Sequence, residues 1–175
     1  MKRILWVLLC TGIGMIGACN RNGEASNPIP AAPAENQVTA AGVTMQWSVI
    51  ESDLSVKLSA STAGWVAVGF KPSVGMKDAN IIIGYVSNGN VFIRDDCGSG
   101  MMTHEADAID NVTAKSGTEA NGVTEINFKM PLDSGDPQDQ VLVVGNTYNV
   151  ILAQGGADNF TLRHSDRALV SIKIK

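Results

Sequence analysis

The chain has 175 residues, with 13 lysines and arginines against 17 aspartates and glutamates, and only 5% aromatic residues. A formal charge of −4, with no basic stripe interleaved with aromatics, excludes a nucleic-acid binder. Three cysteines are too few for a disulfide scaffold, and no apolar stretch beyond the chain start is long enough to span a bilayer.

Lys2 and Arg3 lead an apolar stretch, Ile4 to Ile16, that ends in Ile16-Gly17-Ala18-Cys19. Small residues running into a cysteine resemble the lipobox of bacterial lipoproteins, in which the cysteine is acylated and becomes the mature N-terminus. Residues 1–19 therefore read as a lipoprotein signal peptide with lipidation at Cys19. The alternative is an ordinary secretory signal cut near Ala18, and either way the chain is exported. Any membrane attachment would be through lipid, to the outer or the cytoplasmic membrane on its periplasmic or surface side, and Asn20 after the cysteine, rather than Asp, points to the outer membrane where the cell has one. Gly12-Ile13-Gly14-Met15-Ile16-Gly17 matches a dinucleotide-binding fingerprint letter for letter, but it lies in a removable segment and not in a strand–turn–helix unit.

Removing Lys2 and Arg3 from the 13 basic residues leaves 11 against 17 acidic, a formal −6. Cys10 leaves with the signal and Cys19 carries lipid, so Cys97 stands alone and no intramolecular disulfide can form. With no His or Lys within four residues, Cys97 reads as a semi-buried structural thiol. The folded part must then be stabilised by core burial, for which about 130 residues suffice.

Residues 20–41 are rich in Ala, Asn and Pro and read as a disordered tether. One domain is expected over 42–175. Leu54, Val56, Leu58 and Ala60 alternate with polar residues, as do Ile126, Phe128 and Met130, and Ala168, Val170, Ile172 and Ile174 alternate with Leu169, Ser171 and Lys173. This period of two marks strands with one wet face. Further strands are predicted near 44–50, 64–70, 79–87, 90–94, 111–115 and 147–153. Asn88-Gly89, Asn121-Gly122 and Ser134-Gly135-Asp136-Pro137 separate them, the Asn-Gly pairs suiting tight hairpins that need positive φ. Without helical periodicity, the fold class is all-β, an antiparallel immunoglobulin-like sandwich of two sheets.

Two residues far apart carry the chemistry. Met76 follows Gly75 in a stretch interrupted by Pro72, and His164 sits among Asp158, Asn159, Arg163, Asp166 and Arg167. A thioether and an imidazole that meet in space can hold a haem iron from both sides and raise its reduction potential. Met76 could instead fill a gap in the core, and His164 could be a surface histidine bonded to a carboxylate. Arg163 or Arg167 could pair with a haem propionate or form a surface ion pair with Asp158 or Asp166.

Four segments, in order, extend the argument: "GWVAVGF" with its Gly-Met loop and "DANIIIGYV", then "VFIRDDCGSGMMTHEAD", "GVTEINFKMPLDSGDPQD" and "DNFTLRHSDRALVSIKI". Together they resemble the DOMON family, the β-sandwich of dopamine β-monooxygenase-like proteins, cellobiose dehydrogenase cytochromes and many bacterial exported proteins. In its haem-binding branch a Met from an early loop and a His near the C-terminus are the axial ligands of a b-type haem. The resemblance carries those roles to Met76 and His164. No Cys-x-x-Cys-His is present for covalent attachment.

His104, beside Met101 and Met102, is a rival as a second-shell group, a turn cap or part of a copper site, since thioethers favour Cu(I). Asp133, Asp136 and Asp139 do not match a calcium-loop pattern and read as a solvated turn. No HExxH, phosphate-binding loop or nucleophile elbow occurs, so no enzyme activity is expected. The expectation is a lipid-anchored DOMON domain that binds one haem b between its sheets and passes electrons to a redox partner protein at the cell envelope. The alternatives are a metal-free module for a sugar or other small molecule, or a protein-interaction domain. Only eight aromatics follow the signal, which disfavours sugar platforms.

Overall fold

The computed structural model describes residues 36–175. The signal segment, Cys19 and residues 20–35 of the expected tether lie outside them. Residues 36–40, assigned to the tether by composition, instead form strand β1 (Asn36–Ala40). Ala41 and Gly42, at φ 50° and 71°, turn the chain tightly into β2 (Val43–Ile50), and the two strands pair along their length. Val38 and Ala40 are the only apolar residues β1 sets against the core, too few to stand out in a polar stretch.

The remaining strands are β3 (Asp53–Ala60), β4 (Val66–Phe70), β5 (Asn80–Ser87), β6 (Asn90–Cys97), β7 (Glu105–Ala106), β8 (Thr113–Ala120), β9 (Val123–Pro131), β10 (Thr147–Gln154) and β11 (Asp166–Lys173). They form a five-stranded sheet, β1-β2-β3-β9-β8, and a six-stranded sheet, β11-β10-β4-β5-β6-β7, with every ladder antiparallel. Asn88-Gly89 and Asn121-Gly122 have positive φ at both positions, as the hairpins β5–β6 and β8–β9 require.

Alternation decides which side chains meet between the sheets. Met45, Leu54, Leu58, Ile126 and Phe128 come from one sheet, and Val68, Phe70, Ile82 and Leu152 from the other; all are buried. They fill the gap at the spacing of packed sheets. The cofactor slot expected between the sheets is therefore absent, because large side chains occupy that space. β4 is buried at all five positions and β5 at its first five, so both are covered on their outer faces too.

Leu58 is fully buried in this layer, whereas Leu169 is 61% exposed. Leu58→Ala is expected to lower unfolding free energy by about 2–5 kcal/mol and Leu169→Ala by less than about 0.5 kcal/mol. Urea denaturation of the two variants measures the difference.

Candidate functional site

The outer face of the six-stranded sheet carries the room that the inner face lacks. Ala67 and Gly69 on β4 and Ala153 on β10 project little or nothing, while Ile81, Ile83 and Ile151 flank them. The register sets Ala67 opposite Ile83 and Ala153, and Gly69 opposite Ile81 and Ile151. The result is a shallow apolar floor under a cavity of about 390 Å³, within the usual range for small-molecule sites. A Cβ added at Gly69 would stand 3.2 Å from Ile81 Cγ1, so bulk at this point costs space.

Met76, His104, Arg163, His164 and Arg167 all line this cavity. The fold thus brings together every ligand-type residue singled out in the folded domain. Met101 and Met102, which the sequence offered only as companions of His104 in a copper site, stand on the same rim, 60% and 86% exposed.

The Met76 loop is held by its backbone. Met76 N donates to Met101 O (3.0 Å), Asp78 N to Gly98 O (2.9 Å) and Gly98 N to Ala79 O (2.8 Å). This close approach needs glycines: Gly75 has φ 61° and a Cβ there would lie 2.2 Å from Met101 O. At Gly98 a Cβ would lie 1.8 Å from Met76 O. Both contacts are with backbone, which cannot swing aside, so the loop fixes the position from which Met76 reaches the cavity.

A second device ties the neighbouring loops to β6. Asp96 is fully buried; Arg94 donates to it through Nε (2.5 Å) and Nη2 (2.7 Å), and His104 Nδ1 lies 2.5 Å from its Oδ2. Burial pushes the Asp96 carboxyl up, but the hydrogen bonds from His104 and Arg94 outweigh it and hold it below the usual aspartate range. An ionised Asp96 can only accept, so the proton on this contact belongs to His104 Nδ1. The Arg94 guanidinium also lies 4.7 Å from the Phe160 ring centre, and Phe160 packs on Tyr85 at 4.8 Å. The 98–104 and 155–165 segments are thereby both anchored to β6, the latter also to β5.

His164 is partly buried, and burial, then the charges of Arg167 and Arg163, lower its pKa. Its imidazole is neutral at neutral pH and keeps a lone pair to offer. The surface ion pairs considered for the arginines do not form. Neither Arg163 nor Arg167 enters a salt bridge among the described residues, and Arg167 meets Asp166 only by donating its backbone N–H to Oδ1 (2.8 Å). Met76 is not core filling either, since it sits on the cavity wall. A thioether, a neutral imidazole, a flat apolar floor and two unpaired guanidinium groups suit a planar, apolar, dicarboxylate-bearing metal macrocycle.

Comparison with known proteins agrees on the fold. The DOMON domain family model matches residues 40–155. The chain is 25% identical over 107 residues to MOXD1 homolog 2 of Drosophila melanogaster, covering 60% of this chain and 14% of that protein. It is 29% identical over 107 residues to DBH-like monooxygenase protein 1 of Homo sapiens, covering 61% and 17%. The chain thus matches under a fifth of the length of these curated relatives. The cytochrome b domain of pyranose dehydrogenase from Coprinopsis cinerea superposes with a TM-score of 0.65 at 11% identity, covering 79% of this chain and 80% of that one. The cytochrome domain of Myriococcum thermophilum cellobiose dehydrogenase does so at 0.61 and 12% identity, covering 83% and 79%.

The Asp96 anchor has a measurable signature. A carboxyl held low in the folded state contributes stability that is complete above its unfolded value of about 3.9 and is lost as pH falls through the lower folded value. Asp96→Asn is expected to cost about 1–3 kcal/mol at neutral pH, and its deficit relative to the wild type should shrink below pH about 4. Denaturation curves of both proteins between pH 3 and 7 test this.

Proposed function

The chain belongs to the DOMON domain family, and from that membership we propose that its outer-face cavity holds one b-type haem for electron transfer. Met76 and His164 would be the axial ligands. One observation carries the reading: these two residues, contributed by loops at opposite ends of the domain sequence, line a single cavity. The solved cytochrome domains that share the fold lend it support.

Bound haem supplies a one-electron iron couple, and thioether–imidazole ligation raises its potential. The protein's part is positional. His164 presents a neutral nitrogen, kept so by burial and by Arg167 and Arg163. The pinned backbone at Met76 presents sulfur from the other loop. Arg163 and Arg167 offer forked donors to the propionates, and the Ala67, Gly69 and Ala153 floor accepts a flat face. With Met76 and His164 both holding the iron, no coordination site would remain for a substrate, so the domain would carry electrons rather than catalyse a reaction itself. The lipobox at Cys19 would tether it to the cell envelope, on the outer or the cytoplasmic membrane, within reach of a protein redox partner.

A second reading rests on the same cavity. Met76, Met101, Met102, His104 and His164 give it three thioethers and two imidazoles, a donor set that suits Cu(I). A metal-free module for a small molecule would use the apolar floor alone. Trp65 is the one aromatic on the wall, a poor platform for a sugar.

Haem titration of the purified domain separates these. A Soret band with sharp α and β bands on reduction is expected, and His164→Ala or Met76→Ala should turn the spectrum high-spin or abolish pigment. His104→Ala should leave axial ligation intact. A protein that stays colourless through the titration sinks the haem reading. Stoichiometric copper on metal analysis would then support the second reading, and neither metal would leave the metal-free module.

A further inference from the structure

Asn36, which opens β1, lies at one particular end of the sandwich. Its side-chain amide donates to Lys175 O (2.9 Å). Next to Lys175, Ile174 exchanges backbone hydrogen bonds with the turn before β10: Gly145 N donates to Ile174 O (2.7 Å) and Ile174 N to Asn146 O (3.0 Å). The contacts run on from there. Leu142 N donates to Leu132 O (2.8 Å) and Leu132 N to Ser52 O (2.9 Å), which brings in the turn between β2 and β3. The start of β1, the β2–β3 turn and the 132–146 segment therefore share one end. The His164 loop belongs to the other, where Ser165 N donates to Gln154 O (2.8 Å) at the close of β10.

The first of these ends is apolar where the core does not require it. Val141-Leu142-Val143-Val144 is a run of four aliphatic residues outside any strand. Leu142 points into the core. Val141, Val143 and Val144, with Ile50 at the end of β2, are between 43% and 54% exposed. One exposed aliphatic residue is ordinary, but four on one end form a contact surface. Its rim has groups suited to the boundary between water and acyl chains. Lys71 Nζ donates to Val141 O (2.9 Å) and lies 5.4 Å from the Tyr148 ring centre, and Tyr148 Oη accepts from Val143 N (3.0 Å).

We propose that Ile50, Val141, Val143 and Val144 rest in the headgroup–acyl boundary of the membrane to which the chain is anchored. This rests on the lipid-anchor part of the proposed function and not on what the cavity holds. Residues 20–35, 16 in number, separate Cys19 from Asn36 and span at most about 55 Å fully extended. They join the domain at its apolar end, so an acylated Cys19 would draw that end toward the bilayer. A contact made within this reach is intramolecular, and a patch too small to bind vesicles alone suffices. The formal −6 left after the signal opposes attraction to anionic lipid, so the aliphatic side chains carry the contact. The cavity, on the outer face of the six-stranded sheet, would then open along the membrane and not into it.

The test uses the full chain, purified with its lipid and anchored in neutral vesicles with or without brominated acyl chains. Val144→Trp puts a reporter in the patch, and Val123→Trp puts one at the opposite end, next to Thr124, which donates to Thr62 O (2.9 Å). Trp47 and Trp65 are buried and give a constant background. Brominated lipid should quench the Val144→Trp reporter at least about twofold and leave the Val123→Trp reporter unchanged. Adding Ile50→Ser, Val141→Ser and Val143→Ser should abolish the quenching; Val143→Ser alone should reduce it, should the triple variant not fold. Salt at about 0.5 M should have no effect. Mass spectrometry of the mature N-terminus separates the two ideas. Lipid on Cys19 without quenching overturns the patch and leaves the anchor, whereas a chain without lipid overturns both. Equal quenching at the two ends, or a blue shift that grows with protein concentration in the absence of vesicles, also overturns the proposal, the latter in favour of a second copy on the patch.

Discussion

The constraint on which this molecule turns is that β4 and its neighbours are buried on both faces. A strand covered on one side alternates apolar and polar residues, whereas "WVAVGF" and "IIIGYV" carry no charged or amide side chain. Their even-numbered residues (Val66, Val68, Phe70 and Ile82) are large and seal the layer between the sheets. The odd-numbered floor residues of β4 and β10 (Ala67, Gly69 and Ala153) are small. Large side chains inward give stability; small ones outward leave a space that the loops close over. Exchanging the two sets would open the core and fill the site.

The loops hold their shape through contacts that no single segment could make. Gly75 and Gly98 let the 71–79 and 98–103 segments approach until their backbones hydrogen-bond, which fixes Met76 from behind. Arg94 links Asp96 to Phe160, and Asp96 links to His104, so one buried carboxylate joins two walls to the sheet. The side chains that would meet a ligand are therefore positioned by groups that would not touch it.

Much of this was legible in the sequence, for identifiable reasons. β3 and β9 show a clean period of two because each has one wet face, and both Asn-Gly hairpins follow from the need for positive φ. β1 was read as tether because it brings only Val38 and Ala40 to the core, and β7 is only two residues long. Met76, His164, Arg163, Arg167 and His104 could be nominated from residue type and family resemblance. Their side of the sheet could not, because a fully apolar strand does not say which face meets the partner sheet and which the ligand. Met101 and Met102 could be named only as companions of His104 in a copper site, and the backbone bond from Met76 to Met101 shows how they come to the rim of the same cavity as Met76.

The aspartates of β6 show how far alternation alone can divide identical residues. Asp95 and Asp96 are adjacent, chemically the same and both nearly inaccessible. The pleat sends Asp96 to the face where Arg94 follows at two residues' distance and His104 arrives from the loop, and its carboxyl is held low. It sends Asp95 to the face where Asp107 and Asp139 gather, and its carboxyl is pushed up. One carboxylate is met by the Arg94 guanidinium and the His104 ring, and the other is left with a backbone amide and an unpartnered oxygen. No linear motif records this, because the partners of Asp95 come from the segments around 107 and 139.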